Sequence, residues 1–201
     1  MMEEKNSNKK EESMDVSTTQ VGKKEEKKRR MWIEISIYII LLFICGYIIP
    51  RFVLQRTIID GSSMETNLYD NENVLVEKVS KHFKNYDRFD IIVFYPYGKG
   101  TKDYYVKRVI GLPGETIQIK DGIIYINGEE LNENYGKDPI EDGGIAEKPI
   151  VLADDEYFVL GDNRRVSKDS RIEDVGPVSK DKIGGKVILR IWPFSKFGFV
   201  K

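Results

Sequence analysis

Residues 31–50 read Met-Trp-Ile-Glu-Ile-Ser-Ile-Tyr-Ile-Ile-Leu-Leu-Phe-Ile-Cys-Gly-Tyr-Ile-Ile-Pro, and Glu34 is the only charged residue among them. At 1.5 Å per residue, about 20 such residues match the roughly 30 Å hydrocarbon layer of a bilayer. The run therefore predicts one transmembrane helix. Glu34 falls in its first turn, within reach of headgroups, and Trp32 and Tyr47 fall near its two ends, as interfacial aromatics do. A cleaved secretory signal would instead have an apolar core of about 7–15 residues followed by a small-x-small cleavage site, and this run meets neither condition.

The flanking charges set an orientation. Residues 23–30 read Lys-Lys-Glu-Glu-Lys-Lys-Arg-Arg, which outweighs Arg51 and Arg56 on the other side. The positive-inside bias then leaves the N-terminus in the cytoplasm and residues 51–201 outside a cytoplasmic membrane crossed once. Residues 1–22 are rich in Glu, Lys, Ser and Asn with no apolar period. Together with the basic run they form an expected disordered cytoplasmic tail over 1–30.

Several function classes are disfavoured at once. A formal net charge of −1 provides no global basic field for nucleic acid. The only cysteine, Cys45, lies inside the apolar span, so the outer domain has neither a disulfide nor a thiol nucleophile. The only histidine, His82, sits in the polar segment Ser80-Lys81-His82-Phe83-Lys84 and reads as a surface residue. A histidine-based triad and a multi-histidine metal site are both disfavoured, and no metal or cofactor is implied.

Beyond residue 57 the pattern is one of short strands, at 57–60, 74–79, 90–95, 103–110, 116–120, 123–127, 157–160 and 186–191. Each run is rich in Val, Ile, Tyr or Phe and bounded by Gly, Pro, Asn or Asp. Asp121-Gly122 and Asn127-Gly128 are tight-turn signals. The fold class expected is mainly β: one N-terminal transmembrane helix followed by an antiparallel all-β outer domain. Residues 131–149 are acidic, contain glycine and nearly lack aliphatic runs, and read as a loop or small excursion between strands. Aromatics gather at Trp192, Phe194, Phe197 and Phe199. They fit either a closing strand packed on the core or rings in contact with a membrane surface.

Three segments carry chemistry. Lys107 lies in Tyr104-Tyr105-Val106-Lys107-Arg108-Val109-Ile110-Gly111-Leu112-Pro113-Gly114, an amine inside a buried-strand pattern. Burial disfavours its ammonium form, so it can serve as a neutral base near physiological pH. Asp60-Gly61-Ser62-Ser63-Met64 places serine in a glycine-flanked turn, where a hydroxyl can stand beside an exposed backbone N–H. Gly161-Asp162-Asn163-Arg164-Arg165-Val166-Ser167-Lys168-Asp169-Ser170-Arg171 is a polar loop whose side chains can bond one another and the backbone.

In their order and spelling these segments resemble bacterial type I signal peptidases. That family has a Ser-Met turn, then a Tyr-(Ile/Val)-Lys-Arg strand ending in Gly-Leu-Pro-Gly-(Asp/Glu), then Gly-Asp-Asn-Arg-x-x-Ser-x-Asp-Ser-Arg. Ser63-Met64, the strand from Tyr105 to Glu115 and the loop from Gly161 to Arg171 match these, and Asp87-Arg88-Phe89-Asp90-Ile91-Ile92-Val93 matches a further strand of the family. The modest size resembles the shorter, Gram-positive-like branch.

The resemblance implies a membrane-bound serine endopeptidase that removes N-terminal signal peptides from exported preproteins with small residues at −1 and −3. Ser63 would be the nucleophile and Lys107 its general base. Ser167 would hold the lysine amine by a hydrogen bond, Asp169 and Arg171 would form a supporting ion pair, and Asp162 and Asn163 would shape the loop. The oxyanion would be met by the backbone N–H of Ser63, because Gly61 stands where some members carry a further hydroxyl. Ile59, Leu68 and Val106 would wall the pockets for a substrate bound as an added strand. The chain departs from the family at Ser63-Met64-Glu65-Thr66-Asn67-Leu68, where Ser-Met-x-Pro-Thr-Leu is expected. Without proline, Thr66 should leave a looser turn. That departure motivates an alternative, a catalytically impaired binding module that assists surface-protein or pilus assembly.

Overall fold

A computed structural model of the chain describes residues 27–100 and 103–200. The expected tail at 1–22 and the start of the basic run lie outside the described residues. Helix α1 runs Lys27–Val53, 27 residues with none of its most apolar stretch buried. It continues past Pro50, and its last stretch, Ile44–Val53, is wound more widely than an α-helix. Its length of about 40 Å exceeds the thickness of a hydrocarbon layer.

The β-rich unit begins at Arg51. Its strands are β1 (Leu54–Ile58), β2 (Asn73–Glu77), β3 (Ile91–Phe94), β4 (Tyr105–Gly111), β5 (Thr116–Lys120), β6 (Ile123–Ile126), β7 (Glu129–Glu130), β8 (Ile150–Val151), β9 (Glu156–Leu160), β10 (Val178–Ser179), β11 (Ile183–Trp192) and β12 (Gly198–Phe199), with a short helix α2 at Ser80–Phe83 between β2 and β3. The larger sheet has the order β1-β2-β11-β3-β4-β9-β10, with β12 also paired to β11, and the smaller one runs β7-β6-β5-β8. Every described pairing is antiparallel. All eight expected strands are present, the first starting three residues earlier than expected, at Leu54.

The turns form as their residue types require. Asp121 and Gly122 both have positive φ, 52° and 79°, and join β5 to β6 in a two-residue hairpin. Asn127 and Gly128 do the same between β6 and β7, at 54° and 86°.

Alternation along the central strands divides the core. Ile91 and Val93 of β3 join a cluster with Ile59, Met64, Leu68, Val74, Val76, Val106 and Val187. Ile92 and Phe94 point the other way, to Val109, Tyr157, Val159 and Ile183. Both faces of β3 and β9 are buried, so their sequences read as continuous apolar runs rather than alternating ones. A third cluster fills the small sheet with Ile117, Ile119, Ile124 and Ile126 against Ile110, Phe158 and Leu160. The excursion at 131–149 contributes Ile140 and Ala146 to it, so this stretch packs as part of the domain.

At the C-terminal end, β12 does close onto β11, yet Trp192, Phe194, Phe197 and Phe199 are each half or more exposed. The expected closing strand exists, but these rings do not pack in the core. Val200 is the residue of this end that packs against a core cluster. His82 is exposed, on α2.

Candidate active site

The serine turn follows directly from β1. Pairing with the next strand continues past β1 through Ile59 N–H to Glu72 O (2.8 Å) and Asn71 N–H to Ile59 O (2.9 Å). The chain then turns at Gly61, whose φ of +90° suits a residue without Cβ. Its N–H is held by Asp70 Oδ1 at 2.8 Å. Residues 62–68 coil once, with Asn67 N–H and Leu68 N–H donating to Met64 O at 2.9 and 2.8 Å. Met64 and Leu68 are buried and anchor the coil from below. Arg190 donates to Asn67 O, so the turn is braced at the position where it departs from the expected spelling. The looseness expected from the missing proline is thus countered by backbone bonds and this guanidinium.

Lys107 reaches Ser63 from the middle of β4. Its backbone pairs opposite Ile92 in β3. Its Nζ lies 2.7 Å from Ser63 Oγ and donates to Val106 O at 3.0 Å. Only 3% of the residue is exposed, and the Tyr105 ring covers the amine at 5.4 Å from its centroid. Burial pulls the ammonium down to about 8, and outweighs the Asp169 and Asp162 carboxylates, which push the other way. Strand alternation places Arg108 on the opposite face, where its Nε and Nη2 meet Asp162 Oδ1 and Oδ2 at 2.8 and 2.7 Å. That pair is almost wholly buried, at 0% and 1% exposure. The Arg108 Cζ stands over the Tyr135 ring, 3.8 Å from its centroid.

The polar loop clasps the serine turn from the other side. Asn163 N–H donates to Ser63 O at 3.0 Å and its Nδ2 to Ser62 O at 3.2 Å. Asp169 receives Arg171 Nε and Nη2 at 2.8 and 3.0 Å and the Gly161 N–H at 3.1 Å. Ser170 ties the loop to β9, accepting from Val159 N–H at 3.0 Å and donating its own N–H to Val159 O at 3.1 Å. Within this loop Asp169 thus pairs with Arg171, while Asn163 is bonded to the serine turn and Asp162 to Arg108.

Two expected contacts differ. Ser167 is buried beside the site, but its Oγ has no hydrogen-bond partner, and the lysine amine is held by Ser63 and Val106 instead. Ser167 Oγ lies against Gly161, where a Cβ would come within 2.2 Å of it. Leu68 is fully buried beneath the turn and does not reach the cleft. Ile59 and Val106 do line that cleft, a space of about 270 Å³ bounded also by Gly61, Ser63, Tyr104 and Lys107. Among the described residues, none accepts a hydrogen bond from the Ser63 N–H.

Sequence reasoning missed Arg108 and the excursion residues Glu133, Tyr135 and Lys137. Arg108 had a visible signal: a second charge in the same buried-strand pattern as Lys107. The excursion had none, because its contacts are made by isolated residues without a period.

Comparison with known proteins gives a consistent picture. The family model described as "Signal peptidase, peptidase S26" matches residues 29–192. The chain is 35% identical over 183 residues to a probable signal peptidase I-2 of Synechocystis, covering 89% of this chain and 81% of that protein. It is 34% identical to signal peptidase I of Bacillus amyloliquefaciens, covering 87% and 95%, and 36% identical to signal peptidase IB of Staphylococcus aureus, covering 82% and 90%.

Proposed function

The chain belongs to the signal peptidase family, peptidase S26, and from that premise we propose that it cuts signal peptides from exported preproteins by a Ser63–Lys107 dyad. The observation that carries the proposal is the 2.7 Å approach of Lys107 Nζ to Ser63 Oγ, with burial pulling the lysine down to about 8.

In its neutral form Lys107 takes the proton from Ser63 Oγ as that oxygen attacks the scissile carbonyl carbon. The carbonyl π-electrons move onto oxygen, and the Ser63 N–H stabilises the resulting oxyanion. Lys107 then returns the proton to the departing amine as the carbon–nitrogen bond breaks, leaving an acyl-serine. Water, deprotonated by the neutral Lys107 amine, attacks the ester carbonyl, and as the carbon–oxygen bond breaks Lys107 returns that proton to Ser63 Oγ.

Asp162, Asn163, Asp169 and Arg171 keep the loop and serine turn in register, and Ser167 fills the space under Gly161. The substrate lies extended in the cleft between Ile59 and Val106, whose restricted volume favours small side chains at −1 and −3. Helix α1 spans the cytoplasmic membrane once, with the N-terminus inside and the β-rich unit outside. Tethering at the bilayer raises the effective concentration of membrane-borne precursors. The non-catalytic alternative gains no support from relatives whose names are those of enzymes.

The test is cleavage of a precursor bearing Ala-x-Ala by the full chain in detergent, beside Ser63→Ala and Lys107→Ala. Wild-type cleavage lost in both variants is expected. Cleavage that persists in either one sinks the dyad.

A further inference from the structure

We infer that Lys137, in the excursion at residues 131–149, is a positioning residue that locks the serine turn to the polar loop. The inference rests on the roles proposed for Ser63 and Lys107.

Lys137 touches both halves of the site at once. Its N–H donates to Asp162 O at 2.8 Å. Its Nζ meets the Glu65 carboxylate at 3.1 Å, two residues beyond Ser63. Asp162 is bonded through its side chain to Arg108, and its neighbour Asn163 holds the carbonyls of Ser62 and Ser63. The lysine therefore closes a ring of contacts running from Ser63 through Asn163, Asp162 and Lys137 to Glu65 and back along the turn.

A strut is useful only if its own base is fixed. Glu133 pairs with Arg164 at 2.9 Å, with both side chains largely buried. Tyr135 lies on the Arg108 guanidinium and against the Phe89 ring, whose centroid is 5.0 Å away. Gly136 packs onto Arg164, where a Cβ would stand 3.2 Å from Cζ. The backbone on the N-terminal side of Lys137 is thus clamped to the polar loop, and only its ammonium crosses to the serine turn.

The Glu65–Lys137 contact is too exposed, at 25% and 39%, to matter much for folding. Its leverage is geometric. It acts on the segment that carries Ser63, and a misplacement of about 1 Å at reacting atoms can cost on the order of 100-fold in rate. Released, the turn would also admit water to Lys107. The groups facing that amine are the Ser63 hydroxyl, the Val106 carbonyl, the Tyr105 ring and the Asp162 and Asp169 carboxylates. Hydration would relieve the burial that lowers it and move the acid limb of the rate profile upward.

The experiment uses the full chain in detergent with the Ala-x-Ala precursor, comparing Lys137→Met, Lys137→Arg, Glu65→Gln and the Lys137→Met/Glu65→Gln double variant. Lys137→Met should lower kcat about tenfold with KM nearly unchanged, leave Tm within about 1 °C of wild type, and shift the acid limb up by about half a pH unit. Lys137→Arg should restore most of the rate. Glu65→Gln should match Lys137→Met, and the double variant should be no worse than either single change, as expected for two ends of one contact. Wild-type kcat and an unmoved acid limb in both Lys137→Met and Glu65→Gln would overturn the inference alone. A wild-type protein that does not cut, or cleavage that survives Ser63→Ala, would remove the functional reading and this inference with it.

Discussion

Gly161 packs so closely on Ser63 that a Cβ added to it would stand 2.5 Å from the Ser63 carbonyl oxygen. The same Cβ would meet Ser167 Oγ at 2.2 Å. The two sides of the site therefore touch through a residue that must have no side chain. Gly161→Ala should push the serine turn away from Lys107. We expect cleavage to fall at least about 100-fold and stability by about 1–3 kcal/mol, measured by precursor cleavage and denaturant unfolding.

The proposed role of Lys107 as base ties activity to pH. With its ammonium pulled down to about 8, the neutral base is lost as pH falls through that value. The rate should drop about tenfold for each pH unit below it. A cleavage profile flat from acid to alkaline pH would contradict Lys107 as the base.

The same burial has a folding consequence of defined sign. The folded chain releases the Lys107 proton near 8 and the unfolded chain near its ordinary 10.5, so the folded state binds fewer protons between those values and stability rises with pH across them. Below 8 the full penalty applies. Lys107→Met removes it and should raise stability by about 2–3 kcal/mol at pH 7, a gain that shrinks above pH 8 and vanishes by about 10.5. Thermal unfolding of both proteins across that range measures it.

Arg108 and Asp162 form a two-pronged pair with almost no exposure. Asp162→Asn takes the carboxylate from a buried guanidinium and should cost about 3–5 kcal/mol in denaturant unfolding. Arg108→Lys keeps the charge but loses the fork and the guanidinium over the Tyr135 ring, and should also destabilise the chain.

Ser167 lacks a hydrogen-bond partner for its buried Oγ. Its removal forfeits no bond, so Ser167→Ala should leave Tm within about 2 °C of wild type. We expect it to slow cleavage by at most about tenfold, well short of the loss in Lys107→Ala, as read from kcat for the two variants side by side.

Much of this architecture was legible because alternation and turn chemistry are local. β5 and β6 were bounded by Asp121-Gly122 and Asn127-Gly128, whose positive φ values are what those residue types tolerate. Lys107 stood out as an amine in an apolar strand. What escaped detection depends on distant packing. The two-residue strands β7, β8, β10 and β12 are too short to show a period. Ile140 and Ala146 join the core as isolated apolar residues in an acidic stretch. Leu68 was expected in the cleft on the family resemblance alone, but the coil at 62–68 turns it inward. The bond expected from Ser167 to Lys107 is absent, and the close packing of Ser167 on Gly161 is announced by no sequence pattern.

Lys107 and Arg108 are consecutive in β4, and the register of that strand with β3 and β9 decides which cation faces Ser63. A slip by one residue that moved Arg108 into the place of Lys107 would turn the lysine to the opposite face and present the serine with a guanidinium that stays protonated at any physiological pH. The hydrogen-bond ladder of the sheet thus acts as a selector between a group that can give up its proton and one that cannot. A misregistered molecule could be well folded by most spectroscopic measures and still be inert.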